Sequence, residues 1–243
     1  MGYPIADLLN LTSFKNAGSD LVGREVVDNL LLAYLLPLSA REFPALEIGV
    51  FEGDSAVFIA EALQNQGRHL VLVDNLGFLT TDEERQIFIK DVVMKKMSEH
   101  KLDLSRIEFI CTDSTSYTWP AQKFSFFHID ATSPEEDIES CLKLSNGEAI
   151  FAIDDFLIVP HHLEVVVKLI QIGKIHPFAI GNKKIFCSDN KEFASKIASN
   201  TKMWDELGEV LRTESARFFD HPIIKIYTQS SKFYHARMAK YQL

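Results

Sequence analysis

The sequence predicts an α/β fold: a doubly wound, mostly parallel sheet between helices in three α/β/α layers, closed by an antiparallel C-terminal hairpin strand. Three observations carry that expectation. Short apolar runs of strand length alternate with longer segments at helical spacing. The runs are continuous rather than alternating, as in Val71-Leu72-Val73 and Ala149-Ile150-Phe151-Ala152-Ile153, which marks strands covered on both faces. After Gly173 the pattern changes to two apolar runs joined by Gly181-Asn182, the form of a tight hairpin.

Taken in order, regular structure is expected to begin with a helix over residues 23–36. The apolar run there, Leu30 to Leu38, is nine residues long and ends in Pro37-Leu38-Ser39. It falls well short of the ~20 residues that span a bilayer, so it reads as a buried helix. Strands follow over residues 45–49, 69–74, 107–111, 124–130 and 149–154, with helices over 54–65, 82–100, 134–144 and 161–172. Pro134 suits a first helical turn. The 82–100 helix is highly charged and should largely face water. Residues 175–180 and 183–187 form the hairpin. Past Asp189 a helix is expected through 192–199, another around 204–217, and an edge strand over 223–227. Residues 1–200 are expected to form the α/β domain with its N-terminal helical segment, and residues 201–243 an extension packed on the same domain.

Composition narrows the partners. The 243 residues carry a net charge of −9, so no overall field draws the surface toward nucleic acid or anionic lipid. The locally basic, aromatic stretch 232–240 reads as a solvated surface or a homo-oligomer contact. The first residues show no basic segment followed by an apolar one, and Cys111, Cys141 and Cys187 are odd in number and embedded in apolar sequence. Both features fit a cytoplasmic protein with reduced thiols.

The first strand leads into Glu47-Ile48-Gly49-Val50-Phe51-Glu52-Gly53-Asp54-Ser55 and a helix. In an open α/β sheet, ligands bind beyond the carboxyl ends of the strands, and glycines at the first turn let backbone approach them. The Gly-x-x-x-Gly spacing differs from the three-glycine pattern of dinucleotide sites, which suits a ligand with no pyrophosphate to bury. Asp74 ends the second strand 25 positions after Gly49, where a carboxylate can accept both hydroxyls of a ribose. Asp113-Ser114 ends the third strand, where an acceptor and a backbone N–H could read an adenine edge. Each strand-end Asp can equally be a turn former or helix cap.

These residues, together with Val73-Asp74 and Phe127-His128-Ile129-Asp130, resemble class I S-adenosylmethionine-dependent methyltransferases, over roughly residues 20–190. Within that class the chain looks most like the metal-dependent macrocin O-methyltransferase type of small-molecule enzymes. The resemblance implies a Rossmann-like sheet and S-adenosylmethionine held by Glu47, Gly49, Gly53, Ser55, Asp74, Asp113, Ser114 and Asp130. It also implies a small hydroxylated acceptor, a sugar or natural-product intermediate.

Asp130 ends the fourth strand and Asp154-Asp155 the fifth. Adjacent carboxylates after so apolar a strand repel unless something positive sits between them. A hard divalent cation is the simplest candidate, and oxygen-only donors favour magnesium over zinc. The resemblance adds that Asp130, Asp154 and Asp155 hold magnesium, which binds a substrate diol and lowers its hydroxyl pKa. Either member of the pair could instead cap the next helix.

One departure stands out. The segment after the strand-four Asp usually carries a base in the resembling enzymes, but here it reads Asp130-Ala131-Thr132-Ser133, with no group that titrates near neutrality. The candidates for a base are His128, deeper on the same strand, and His161 and His162 at the start of the next helix. A buried core role for His128 and surface positions for the other two are the competing readings. The departure also leaves open a methyltransferase-like binding protein without catalysis. A nicotinamide oxidoreductase on a related sheet is disfavoured by the glycine spacing. Acceptor choice should lie in the loops 5–20, 75–81 and 156–160, with Phe14, Phe51, Phe78 and Phe156 candidates to line an aromatic pocket.

Overall fold

The computed structural model describes residues 24–208 and 211–227. Helix α1 (Arg24–Leu35) runs into a 3₁₀ turn (Leu36–Leu38) that contains Pro37. Leu31, Leu32, Ala33, Tyr34 and Leu35 are all fully buried, so the C-terminal part of α1 is apolar around its circumference, while Asp28 and Asn29 before it border a cavity. The Tyr34 hydroxyl donates to the Met203 carbonyl at 2.7 Å, tying this helix to the C-terminal part of the chain. None of the described helices is long and apolar enough to cross a membrane.

Strand β1 (Ala45–Ile48), helix α2 (Asp54–Gln64) and strand β2 (Leu70–Asp74) follow. The charged helix expected next is broken into α3 (Asp82–Phe88), a π-helical stretch (Ile89–Met94) and α4 (Lys95–Glu99). A Thr81/Glu84 capping box starts it. Only Val93 and Met97 of its apolar residues are fully buried. Then come β3 (Ile107–Cys111), β4 (Phe124–Ile129), α5 (Pro134–Leu144), β5 (Ser145–Ile153), α6 (Pro160–Gln171), β6 (His176–Ile180) and β7 (Ile185–Ser188). The chain closes with α7 (Lys191–Ala198), α8 (Thr201–Gly208), β8 (Arg212–Phe218) and β9 (His221–Tyr227).

The strands form one nine-stranded sheet in the order β3-β2-β1-β4-β5-β7-β6-β9-β8. Strands β1 to β5 pair in parallel, and β7 enters antiparallel between β5 and β6. The expected fold class is therefore the observed one. Two cores cover the two faces. One packs α1, α2, α7 and α8 against the sheet, and the other packs α5 and α6. The strand order reverses between β1 and β4, so a crevice opens beyond their carboxyl ends.

Two expectations for the C-terminal part are corrected. The helix expected around 204–217 ends at Gly208, and residues 212–218 are strand β8, which gains its backbone partners from β9 across a turn at Phe219-Asp220. The 223–227 run is not an edge strand. It pairs with β6 on one side and β8 on the other, which is why Ile223, Ile224 and Ile226 are buried. Loop 5–20, Phe14 and the basic stretch 232–240 lie outside the described residues.

Candidate active site

The crevice is built around the turn after β1. Gly49 sits at φ 82°, and a Cβ there would lie 1.9 Å from the Asp130 carbonyl oxygen, so only glycine lets the ends of β1 and β4 close up. Gly53, also left-handed at φ 80°, is the N-cap of α2. Between them Phe51 is held at φ 47°, in a region a non-glycine residue avoids. Asp74 holds it there. One carboxylate oxygen accepts the Val50 and Phe51 amides at 2.8 and 2.9 Å, and the other accepts the Leu76 amide at 2.7 Å. A carboxylate has about four acceptor positions, so Asp74 keeps room for roughly one ribose hydroxyl rather than two.

Asp74 lines a cavity of about 190 Å³ together with Gly49, Asn75, Asp113, Ser114 and Asp130. This cavity also receives Asp137 from the first turn of α5. Asp137 is buried, accepts the Ser114 hydroxyl at 2.5 Å on one oxygen, and has no partner on the other. Burial raises its carboxyl above the ordinary range. Asp113 forms a local turn, accepting the amide and hydroxyl of Thr115 on the same oxygen. A polar, concave site at four strand ends with an unsatisfied buried acceptor fits a nucleoside.

A second cavity, about 250 Å³, adjoins the first at Asp130. It is lined by Asp28 of α1, Phe51 and Ser55 of the turn region, Asp130, Asp154 and Lys184. Beneath it runs a directed chain of buried polar groups. The Ser55 hydroxyl donates to Glu47 at 2.5 Å, and His128 donates from Nδ1 to the same Glu47 oxygen at 2.8 Å. Lys184 Nζ donates to His128 Nε2 at 2.9 Å and to the Asp154 carboxylate. Asp28 fixes the hairpin that carries the lysine by accepting the amides of Asn182 and Lys183, each at 2.9 Å.

The titrations follow from these contacts. Burial would raise the Asp154 carboxyl, but the Lys184 ammonium holds it well below the usual carboxylate range. Burial, reinforced by the lysine, lowers His128 and keeps its ring neutral. Asp130 presents an exposed face to both cavities, yet desolvation by the surrounding walls and then the Asp154 carboxylate push it up to about 7. Burial likewise pushes Asp28 up to about 7.

Several expectations therefore change. Of the expected cofactor residues, Gly49, Asp74, Asp113, Ser114 and Asp130 border the first cavity and Ser55 the second; Glu47 is enclosed beneath, and Gly53 caps the helix. His128 is not a free base, because both ring nitrogens are committed in the buried chain. His161 is exposed, and His162 packs its Nδ1 3.3 Å from the Asp154 carbonyl; neither lines the two cavities. Asp130 and Asp154 come together, but Asp155 is left out of their grouping. Its amide donates to Asp154 at 2.7 Å, and its carbonyl is tied into the following turn. Phe156 is core, in edge contact with Phe218, whereas Phe51 and Phe78 are exposed and 5.6 Å apart beside the turn.

The donors do not fit magnesium as arranged. Ligand atoms of His128, Asp130 and Asp154 lie within 4.8 Å of one another, yet both His128 Nε2 and Asp154 already face the Lys184 ammonium. The expected repulsion is between Asp154 and Asp155; the positive group that the structure places on Asp154 is the Lys184 ammonium. Lys184, Asp28 and Asp137 were not singled out from sequence. The available signal was a lysine heading the apolar run Ile185-Phe186-Cys187, since lysine is almost never fully buried unless paired.

Residues 46–156 match a family model described as a methyltransferase domain. No curated protein matches the sequence. Among solved structures, the O-methyltransferase NovP is similar at a TM-score of 0.53 and 10% identity, with 76% of this chain and 98% of that one covered. A SAM-dependent O-methyltransferase from Thermotoga maritima is similar at 0.51 and 14% identity, covering 67% and 64% of the two chains. Rv0187 from MTB, solved with cofactor bound, is similar at 0.51 and 16% identity, covering 77% and 89%. At these identities the likeness concerns the fold.

Proposed function

We propose that this chain, with a methyltransferase domain over residues 46–156 on the fold those structures share, is an S-adenosylmethionine-dependent methyltransferase acting on an oxygen of a small hydroxylated acceptor. The observation that carries the reading is the pair of cavities meeting at Asp130. The first has the strand-end carboxylates and the unsatisfied Asp137 oxygen suited to a nucleoside, and the second has room for a small acceptor. The cofactor supplies a methyl group on a sulfonium, and transfer then depends mainly on in-line positioning.

In this reading Gly49 lets the backbone approach the cofactor, and Asp74 orders the turn while accepting a ribose hydroxyl. Asp130 takes the acceptor's hydroxyl proton, the role for which the segment Ala131-Thr132-Ser133 offers no group. The negative side chains along this edge favour a sulfonium. The macrocin-type affiliation and its sugar-like acceptors are supported by the resemblance alone. The magnesium that type implies competes with Lys184 for Asp154, and the ion pair supports a reaction without it. Calorimetry with S-adenosylhomocysteine tests the reading. Binding in the micromolar range that weakens in Asp74→Ala is expected, and no heat at millimolar ligand would overturn it.

A further inference from the structure

The second cavity contains a charge arrangement that the methyltransferase reading alone does not require. Lys184 enters from the hairpin turn immediately before β7, the strand between β5 and β6, and is 3% exposed. Two of its three N–H donors are spent on His128 Nε2 and the Asp154 carboxylate. His128 cannot turn to offer a donor there, because Glu47 accepts from its Nδ1, and Glu47 is in turn fixed by Ser55. The lysine head group is thereby held at one point on the cavity wall, on two members of the grouping formed by His128, Asp130 and Asp154. Asp28 anchors the preceding hairpin amides, and a Cβ at Gly181 would lie 2.1 Å from the Asp28 carboxylate, so the hairpin's approach to α1 is itself tightly specified.

We propose, on the basis of the methyltransferase reading above, that the Lys184 ammonium occupies the position a divalent cation would take, and that its remaining N–H binds a single acceptor oxygen beside Asp130. Two consequences follow. A divalent ion has no vacant donor set unless the ammonium leaves, so the wild-type site excludes it by like-charge repulsion. An ammonium with one free donor also cannot chelate two oxygens as a metal does. The acceptor class is therefore a lone alcohol or phenol hydroxyl, with no need for a neighbouring hydroxyl.

The test is a titration with Mn²⁺ followed by electron paramagnetic resonance, in the presence of S-adenosylhomocysteine and without any acceptor. Wild-type protein is expected to take up no Mn²⁺ at this site, whereas Lys184→Met, which removes the charge and keeps the length, gains stoichiometric binding that Lys184→Met/Asp130→Asn loses. Stoichiometric binding by wild type that disappears in Asp154→Asn overturns the proposal. So does a folded Lys184→Met protein that binds S-adenosylhomocysteine yet takes up no Mn²⁺. If Lys184→Met does not fold, the wild-type and Asp154→Asn titrations still decide. Failure of wild type to bind S-adenosylhomocysteine counts separately, against the methyltransferase reading. Where turnover is found, single phenols should match catechols in KM, and a strict catechol requirement overturns the assigned acceptor class.

Discussion

The two cavities that meet at Asp130 are built from different kinds of interaction. The proposed nucleoside side is made of backbone: a glycine turn, an Asp that collects three amides, and short Asx-type turns whose partners are mostly near in sequence. The proposed acceptor side is made of side chains carried in from distant elements, with Asp28 bonded to residues 154 and 155 positions away and Lys184 to residues 56 and 30 positions away. A site of the first kind tolerates change in side chains other than those that hold its turns, such as Asp74, and fails when the backbone is blocked. One of the second kind tolerates loop change and fails when a single charge is left without its partner.

The largest effect should come from breaking the charge pairing. Lys184→Met leaves Asp154 buried without its cation, and removing one partner of a buried pair costs about 3–5 kcal/mol. Urea unfolding measures this directly. A loss under about 1 kcal/mol would mean that Asp154 relaxes to solvent, and the acceptor side would then be less dependent on distant charges than the contrast supposes.

Gly49→Ala probes the nucleoside side in the same terms. Its Cβ would overlap the Asp130 carbonyl, and its φ is one that alanine resists, so about 2–3 kcal/mol of stability should be lost. Cofactor-product affinity should fall too, because the strand ends must part. By contrast, Lys184→Met should leave S-adenosylhomocysteine affinity nearly intact if it folds. Calorimetry on the two variants separates the cavities, and equal losses of affinity would merge them.

This difference in construction also decides how much could be read from sequence. Gly49, Asp74 and Asp113 were legible because strand ends, glycine spacing and turn formers are local patterns. The sheet was legible for the same reason, down to the hairpin whose strand β7 runs antiparallel beside β5. The polar chain was not. The adjacent carboxylates Asp154-Asp155 called for something positive between them, but nothing local said that a lysine from the turn before β7 would meet Asp154. His128, two residues before Asp130, shares its side of the strand, yet its depth and its partners Glu47 and Lys184 depend on β1 and β7 packing beside it. Strand β8 was missed likewise, while the 223–227 strand was expected, since the polar β8 is specified by its partner more than by its own sequence.

A pH measurement sharpens the contrast at α1. Asp28 has an ordinary carboxyl near 3.8 when unfolded and about 7 when folded, raised chiefly by burial. The folded state therefore holds the proton more tightly. The group's contribution to stability is fully present below the unfolded value and is lost as pH rises through about 7. Asp154 has the opposite sign: its folded value is depressed, so its contribution is present above its unfolded value and lost in acid. Between about pH 4 and 7, wild type should lose midpoint temperature relative to Asp28→Asn, which cannot ionise. Parallel pH profiles for the two proteins would show that Asp28 ionises freely and does not couple the hairpin to α1.

The smallest effect should come from Phe51, which lines the second cavity while its amide is held by Asp74 of the first. Its backbone is set by the Asp74 carboxylate, whereas its ring is exposed on the acceptor side against Phe78. Asn tolerates the left-handed conformation better than Phe, so Phe51→Asn should recover part of the roughly 1 kcal/mol of backbone strain. It forfeits an aromatic contact of about 0.5–1.5 kcal/mol, here discounted by exposure. The two nearly cancel, and unfolding should shift by no more than about 0.5 kcal/mol. Affinity for S-adenosylhomocysteine should also hold, since the amide still reaches Asp74. What should change is acceptor KM, because the ring is wall to that cavity alone. A loss of cofactor-product affinity instead would show that the side chain, and not only the backbone, builds the nucleoside side.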